Sequence, residues 1–147
     1  MLKRLTTLAI LIAPLASANS APLNVTFTDL AAHPRRYSGK RVTVVAYYDI
    51  DSAGHSSYLA TKPNTEFSDL PHIFVDLPRS ISAAQARAAA KHRVKVVGIF
   101  QYRELKVRVV DPGGPGRPGI EEHTLGFGWM GIYDKQLTKL SQFSIVG

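Results

Sequence analysis

Residues 41–50, RVTVVAYYDI, decide the fold. In an extended chain Val42, Val44, Ala46, Tyr48 and Ile50 share one face, while Arg41, Thr43, Val45, Tyr47 and Asp49 share the other. A period of two held over the whole stretch is the signature of a strand. The same pattern returns 52 positions later: KRVTVVAYY from Lys40 matches HRVKVVGIF from His92, and Arg41/Arg93, Val42/Val94, Val44/Val96 and Val45/Val97 are identical pairs. A stacked repeat architecture needs at least three copies. The likeness therefore reads as two strands shaped by similar burial, both central, with the second running over 93–102 and placing Val94, Val96, Gly98, Phe100 and Tyr102 on one face.

Between these strands, Asp51 to Ser56 contains Gly54 and small polar residues and reads as a loop. Ser57 to Thr61 is a short strand, 62–71 a second loop, and 72–77 (HIFVDL) a third strand. Ser82 followed by Gln85 is a capping box at the head of an alanine-rich run, which predicts a helix over about 83–91. Its apolar face is nearly all alanine, so it must lie close against something larger. Upstream, Asn24 to Phe27 is an extended entry, Thr28 caps a brief helix through Asp29, Leu30 and Ala31, and 34–39 turn. Downstream, Arg103 and Glu104 make a bend and Leu105 to Val110 continue in strand style. DPGGPGRPG, 111–119, admits no regular element. The tail from Leu125 to Val146, with the only tryptophan, Trp129, supplies one or two more strands.

Three strands, a capped helix, then two or more strands is the element order of a five-stranded Greek-key barrel of the oligonucleotide/oligosaccharide-binding type, the OB-fold. The fold class is thus mainly β, with a helix between strands three and four and a short N-terminal helix. Gly98 and Ala46 permit the coiling a small barrel needs. An immunoglobulin-like sandwich wants more strands and no interior helix. The claim rests on Val42 and Val94 meeting inside one closed cylinder stoppered by the alanine segment.

DLAAHPRRYSGKRVTVVAYY, Asp29 to Tyr48, resembles the "short helix, Asn-Pro-x-x-Tyr-x-Gly-Lys-x-Val, strand" opening of small exported bacterial OB-fold-like proteins, with His33 where that pattern often has Asn. SYLAT, HIFVDL and HRVKVVGIF follow in the order the resemblance implies, over roughly residues 28–100. It implies a fold, since Pro34 stops the helix, Tyr37 covers the core edge and Gly39 eases entry to the strand. It brings no catalytic residue with it.

Residues 1–18, MLKRLTTLAILIAPLASA, have a positive start, an apolar stretch from Leu5 to Leu15 and small residues at the end, the order of a secretory signal. The stretch falls short of the ~20 residues that span a bilayer. Cleavage after Ala18, or alternatively after Ser20, leaves one domain over 19–147, exported and soluble, periplasmic or secreted. Of 18 basic residues against 11 acidic, Lys3 and Arg4 go with the signal, so net charge falls from +7 to +5. The chain has no cysteine, which excludes a disulfide framework, a thiol nucleophile and cysteine-ligated metal.

Catalytic signatures are weak. Gly126 to Gly131 spells GxGxxG, but no βαβ unit surrounds it and the chain ends 16 residues later. Asp49, Asp51 and Gly54 imitate the start of a calcium loop, yet Ala53 and Ala60 stand where oxygen donors are needed. His33, His55, His72, His92 and His123 lack metal-ligand spacing. No cofactor or metal is expected. A small hydrolase would have to assemble its site around His55, Asp49 and Asp51.

Binding has the better case. With Leu59, Ile73, Val75 and Leu77 turned inward, Tyr58 and Phe74 point outward on the face where OB-folds hold ligands, and Arg103, Lys106 and Arg108 supply cationic contacts from a neighbouring strand. The competing arrangement packs the tail around Trp129 over both rings. Arg35, Arg36, Lys40 and Arg41 form the densest basic cluster. The sequence thus points to a binding or envelope-associated module for an anionic polymer, a glycan or an envelope protein. A structural assembly subunit would instead show an exposed apolar edge or patch.

Overall fold

The computed structural model describes residues 20–66 and 68–147, so the signal segment expected at residues 1–18 lies outside the described residues. The elements run β1 Leu23–Asn24, α1 Phe27–Ala32, α2 Pro34–Tyr37, β2 Arg41–Ile50, β3 Ser57–Ala60, β4 Ile73–Val75, α3 Ala83–Ala89, β5 Arg93–Tyr102, β6 Val107–Asp111, β7 Ile120–His123 and β8 Lys135–Ile145. Strand order β2-β3-β4-β8-β5, with β5 returning to β2, closes a five-stranded barrel. The pairings are antiparallel except β4 with β8, which is parallel. That order, with α3 between the third and fourth barrel strands, is the OB-fold-like arrangement the element order predicts.

Alternation along the strands builds the core. Val42, Val44, Ala46 and Tyr48 from β2 meet Val94, Val96 and Phe100 from β5 in one buried cluster with Leu59, Ile73, Val75 and Leu137. Val42 and Val94 therefore share one interior. Each fully buried aliphatic side chain stabilises by roughly 1.5–3 kcal/mol over its exposed state. The likeness between β2 and β5 has a geometric counterpart in their antiparallel register, where Val44 faces Val96, Val42 faces Gly98 and Ala46 faces Val94. The first pair joins residues that the sequence shift makes equivalent, and the other two pairs exchange under it. The two strands are thus related by a local two-fold axis through the Val44–Val96 pair.

Gly98 is required where β8 bulges against β5. A Cβ there would stand 2.6 Å from the Leu140 side chain and 2.8 Å from the Thr138 carbonyl oxygen. The alanine helix does what its composition demands: Ser82 and Gln85 form the capping box, and Ala86 and Ala89 press into the core.

Three local expectations are corrected. The first helix is capped by Thr26, whose hydroxyl accepts from Asp29 N at 3.0 Å, not by Thr28; Phe27, expected in an extended entry, is its first residue and is buried. Pro34–Tyr37 makes a helical turn of its own before Gly39 turns the chain at φ 81°. Most consequentially, the strand read at Leu105 to Val110 does not extend the barrel. It becomes β6 of a separate two-stranded ribbon with β7, carried on the long connection between β5 and β8.

Candidate functional site: the barrel face and the loop that covers it

Tyr58 and Phe74 are direct cross-strand partners on β3 and β4, and Leu59 and Ile73 beside them enter the core, so both rings point out of the barrel. Yet Tyr58 is only 1% exposed and Phe74 is half-buried. The expectation of free stacking rings is therefore corrected: the tail covers Phe74, as the competing arrangement has it, whereas the ring against Tyr58 is His72, immediately before β4. The His72 ring meets Tyr58 edge-on at 4.7 Å, with its Nε2 3.0 Å from Thr65 Oγ1. Tyr133 lies on Phe74 with centroids 5.6 Å apart. Gly128 passes so close that a Cβ would stand 2.8 Å from the Tyr133 ring and 3.1 Å from Phe74.

This cover is a tight loop, residues 125–133, LGFGWMGIY. Phe127 N donates to Tyr133 O at 2.7 Å and Tyr133 N returns to Phe127 O at 3.2 Å, while Gly126 N donates to Gly131 O at 2.8 Å. Gly128 and Gly131 adopt φ 73° and 65°, which glycine tolerates without cost. Met130 adopts φ 59°, a conformation unfavourable for its side chain. The glycines that spell GxGxxG thus serve a turn. At the root, the Arg103 guanidinium lies 5.0 Å over the Phe127 ring and donates to Leu125 O at 2.9 Å. At the far side Trp129 N donates to Ser56 Oγ at 3.3 Å, and the His55 ring stacks on Trp129 at 4.4 Å.

Burial leaves its mark on the covered hydroxyls. Tyr58 is pushed up to about 12 by burial and then by the charges of Asp49 and Glu66. Tyr133 is likewise pushed up to about 12, by burial first and then by Asp51 and Glu66. His72 is held below its ordinary value by burial, against its hydrogen bond with Thr65. Under α3 the Tyr48 hydroxyl is buried and, among the described residues, has no hydrogen-bond partner; burial raises it, and Ser57 lies close enough to oppose that shift but outside hydrogen-bond geometry.

The remaining expected residues scatter. Lys106 Nζ lies 3.6 Å from Glu104, which also takes Arg35 at 2.9 Å. Arg108 stands on β6 opposite Glu122. Arg103, Lys106 and Arg108 therefore belong to the connection between β5 and β8, not to a barrel strand beside Tyr58. Arg35 and Arg36 line a groove of about 680 Å3 with His33 and Lys135, but Lys135 is held by Asp134 at 2.8 Å. Asp49 accepts from Ile50 N at 2.9 Å, and Asp51 Oδ1 accepts from the backbone N of His55 at 2.7 Å. Among the described residues no hydrogen bond or ion pair joins the His55 ring to either carboxylate.

What residue-by-residue reading missed is the loop's outer surface. While Phe127 and Tyr133 turn in, Leu125, Trp129, Met130 and Ile132 turn out, Trp129 52% and Met130 66% exposed. The available signal was a run of nine residues without charge, broken by glycine too often for a strand or helix. No helix among the described residues is long and apolar enough to cross a membrane. No protein-family model, curated protein or solved structure matches this chain.

Proposed function

We propose that the chain is an exported binding module that docks onto an envelope protein through the tip of the 125–133 loop. The observation carrying this reading is the display of Leu125, Trp129, Met130 and Ile132 on a backbone tied down at Phe127, Tyr133 and Ser56. A soluble monomer gains nothing by holding Met130 at positive φ to point it at water. Tryptophan and methionine are enriched in the cores of protein interfaces, where charge is depleted. A polyanion or an acidic glycan would ask instead for unpaired cations at the contact. Here the nearby cations Arg35 and Lys106 share Glu104, and Arg103 is committed to Phe127 and Leu125. Export rests on the charged, apolar and small-residue order of residues 1–18.

The test is photo-crosslinking from position 130 of the full chain in a cell that exports it. The reading expects discrete protein adducts that disappear when Trp129→Ala is added, and none from position 88, exposed on α3. Absence of a protein adduct at position 130 overturns it. Binding of the purified chain to a glycan or to anionic vesicles would then identify the other class of partner.

A further inference from the structure

The ribbon of β6 and β7 belongs to neither the barrel nor the loop tip. It forms its own sheet, and every residue of β6 before Asp111, and all of β7, is exposed. Val107 and Val109 are each 58% exposed, and Val110 and Ile120 about half. A two-stranded ribbon alone is marginal in water, and an edge rich in β-branched residues is a template for another strand. The two edges differ in protection. β7 carries Glu121 and Glu122, whereas β6 offers Val107, Val109 and Val110 with Arg108 as its one cation.

We infer that the free edge of β6 pairs with β6 of a second copy, giving a two-fold dimer that presents two loop tips. The backbone register supports this. Thr124 N donates to Lys106 O at 2.8 Å, which makes Val107–His123 and, two residues on, Val109–Glu121 pairs of the non-hydrogen-bonded kind. The N–H and C=O groups of Val107 and Val109 therefore face away from β7 and are free to form a new ladder. A two-fold axis at Val109 sets Val109 opposite its copy, Arg108 opposite Val110 and Val107 opposite Asp111, so no like charges meet. A two-fold pairing of β7 edges centred on either glutamate sets acid against acid or leaves the pair crowded, which is destabilising. Pairing β6 to β7 is head-to-tail and leaves edges open for further growth, whereas a two-fold closes. The register irregularity between Val109 and Asp111 lies beside the axis and keeps the regular ladder short, and Pro112, with no N–H to donate, ends it. Two tips on one dimer would strengthen attachment to a surface carrying several partner molecules. The inference is independent of what the tip binds.

Because the chain has no cysteine, Val109→Cys places a single thiol on the proposed axis. Facing residues of an antiparallel pair lie at Cα separations of roughly 5.5 Å, within the range a disulfide spans. The mature full chain is expected to sediment at twice its chain mass. Val109→Cys is expected to form a disulfide-linked dimer on mild oxidation, while Glu122→Cys, on the other edge, remains uncrosslinked. Val109→Lys is expected to sediment as a monomer with unchanged circular dichroism, since the side chain touches no core. A wild-type mass of one chain at every concentration, crosslinking from position 122 as readily as from 109, or a dimer that survives Val109→Lys overturns the inference. A monomer that still gives a protein adduct from position 130 removes the dimer alone; a dimer without that adduct removes the docking reading alone.

Discussion

His72 shows how one half-buried side chain couples the covered face to pH. Its ring fills the space against Tyr58 and meets Thr65 Oγ1 at 3.0 Å, and burial depresses its affinity for protons relative to the unfolded chain. The unfolded state then binds the proton more readily, so the contribution of neutral His72 is fully present above about pH 6.5 and is lost as the pH falls from there toward the lower folded value. Denaturant unfolding at neutral and mildly acidic pH is expected to show the wild type losing more stability than His72→Gln. The difference has a limiting slope of about 1.4 kcal/mol per pH unit, the contribution of a single proton. Equal pH dependence in the two chains would mean that His72 is solvated and that the face is open. Sequence alone placed Tyr58 and Phe74 on the outer surface, which period-two alternation fixes. It did not place what covers Phe74, because Tyr133 and Gly128 reach that ring only through tertiary folding of a connection more than fifty residues further on.

At the scale of elements, legibility followed the local signals. β2 and β5 occupy the predicted residues because strict alternation continues to their ends. α3 begins where Ser82 and Gln85 cap it. The long connection between β5 and β8 is not legible in the sequence, because β6 alternates like a barrel strand; only the barrel's closure by β8 shows that β6 has no place in it. The cap of α1 moved by two residues because Thr26 and Thr28 are chemically equivalent, and burial of Phe27 chose between them. The covering loop, an element without a secondary-structure name, makes a sharp prediction. At Gly126 a Cβ would stand 2.0 Å from the Tyr133 carbonyl oxygen, a backbone atom that cannot yield without breaking the loop's hydrogen bonds. Gly126→Ala is expected to release the loop while the barrel stays folded. Spectrophotometric titration would then find the Tyr133 hydroxyl moving from about 12 back toward an ordinary phenol near 10. An unchanged titration would show that the loop tolerates the methyl group and is not the close-packed cover described.

For the whole molecule, the closed barrel gives a rigid base, and the connection from β5 to β8 carries the features that look outward. The barrel interior was readable from β2 and β5, because one face of each is apolar throughout. The division of labour was not, because exposed valines on a ribbon and buried valines in a barrel have the same local pattern. Amide hydrogen exchange on the mature full chain tests that division most directly. The account predicts that β2, β5 and β8 exchange only on global unfolding. It predicts that the amides of Phe127 and Tyr133 are protected by orders of magnitude relative to an unstructured chain through their paired hydrogen bonds at 2.7 and 3.2 Å. Exchange of Phe127 and Tyr133 at the rate of an unstructured chain would contradict it, for the loop would then be loose, Phe74 uncovered, and the displayed Trp129 and Met130 no longer held for a partner.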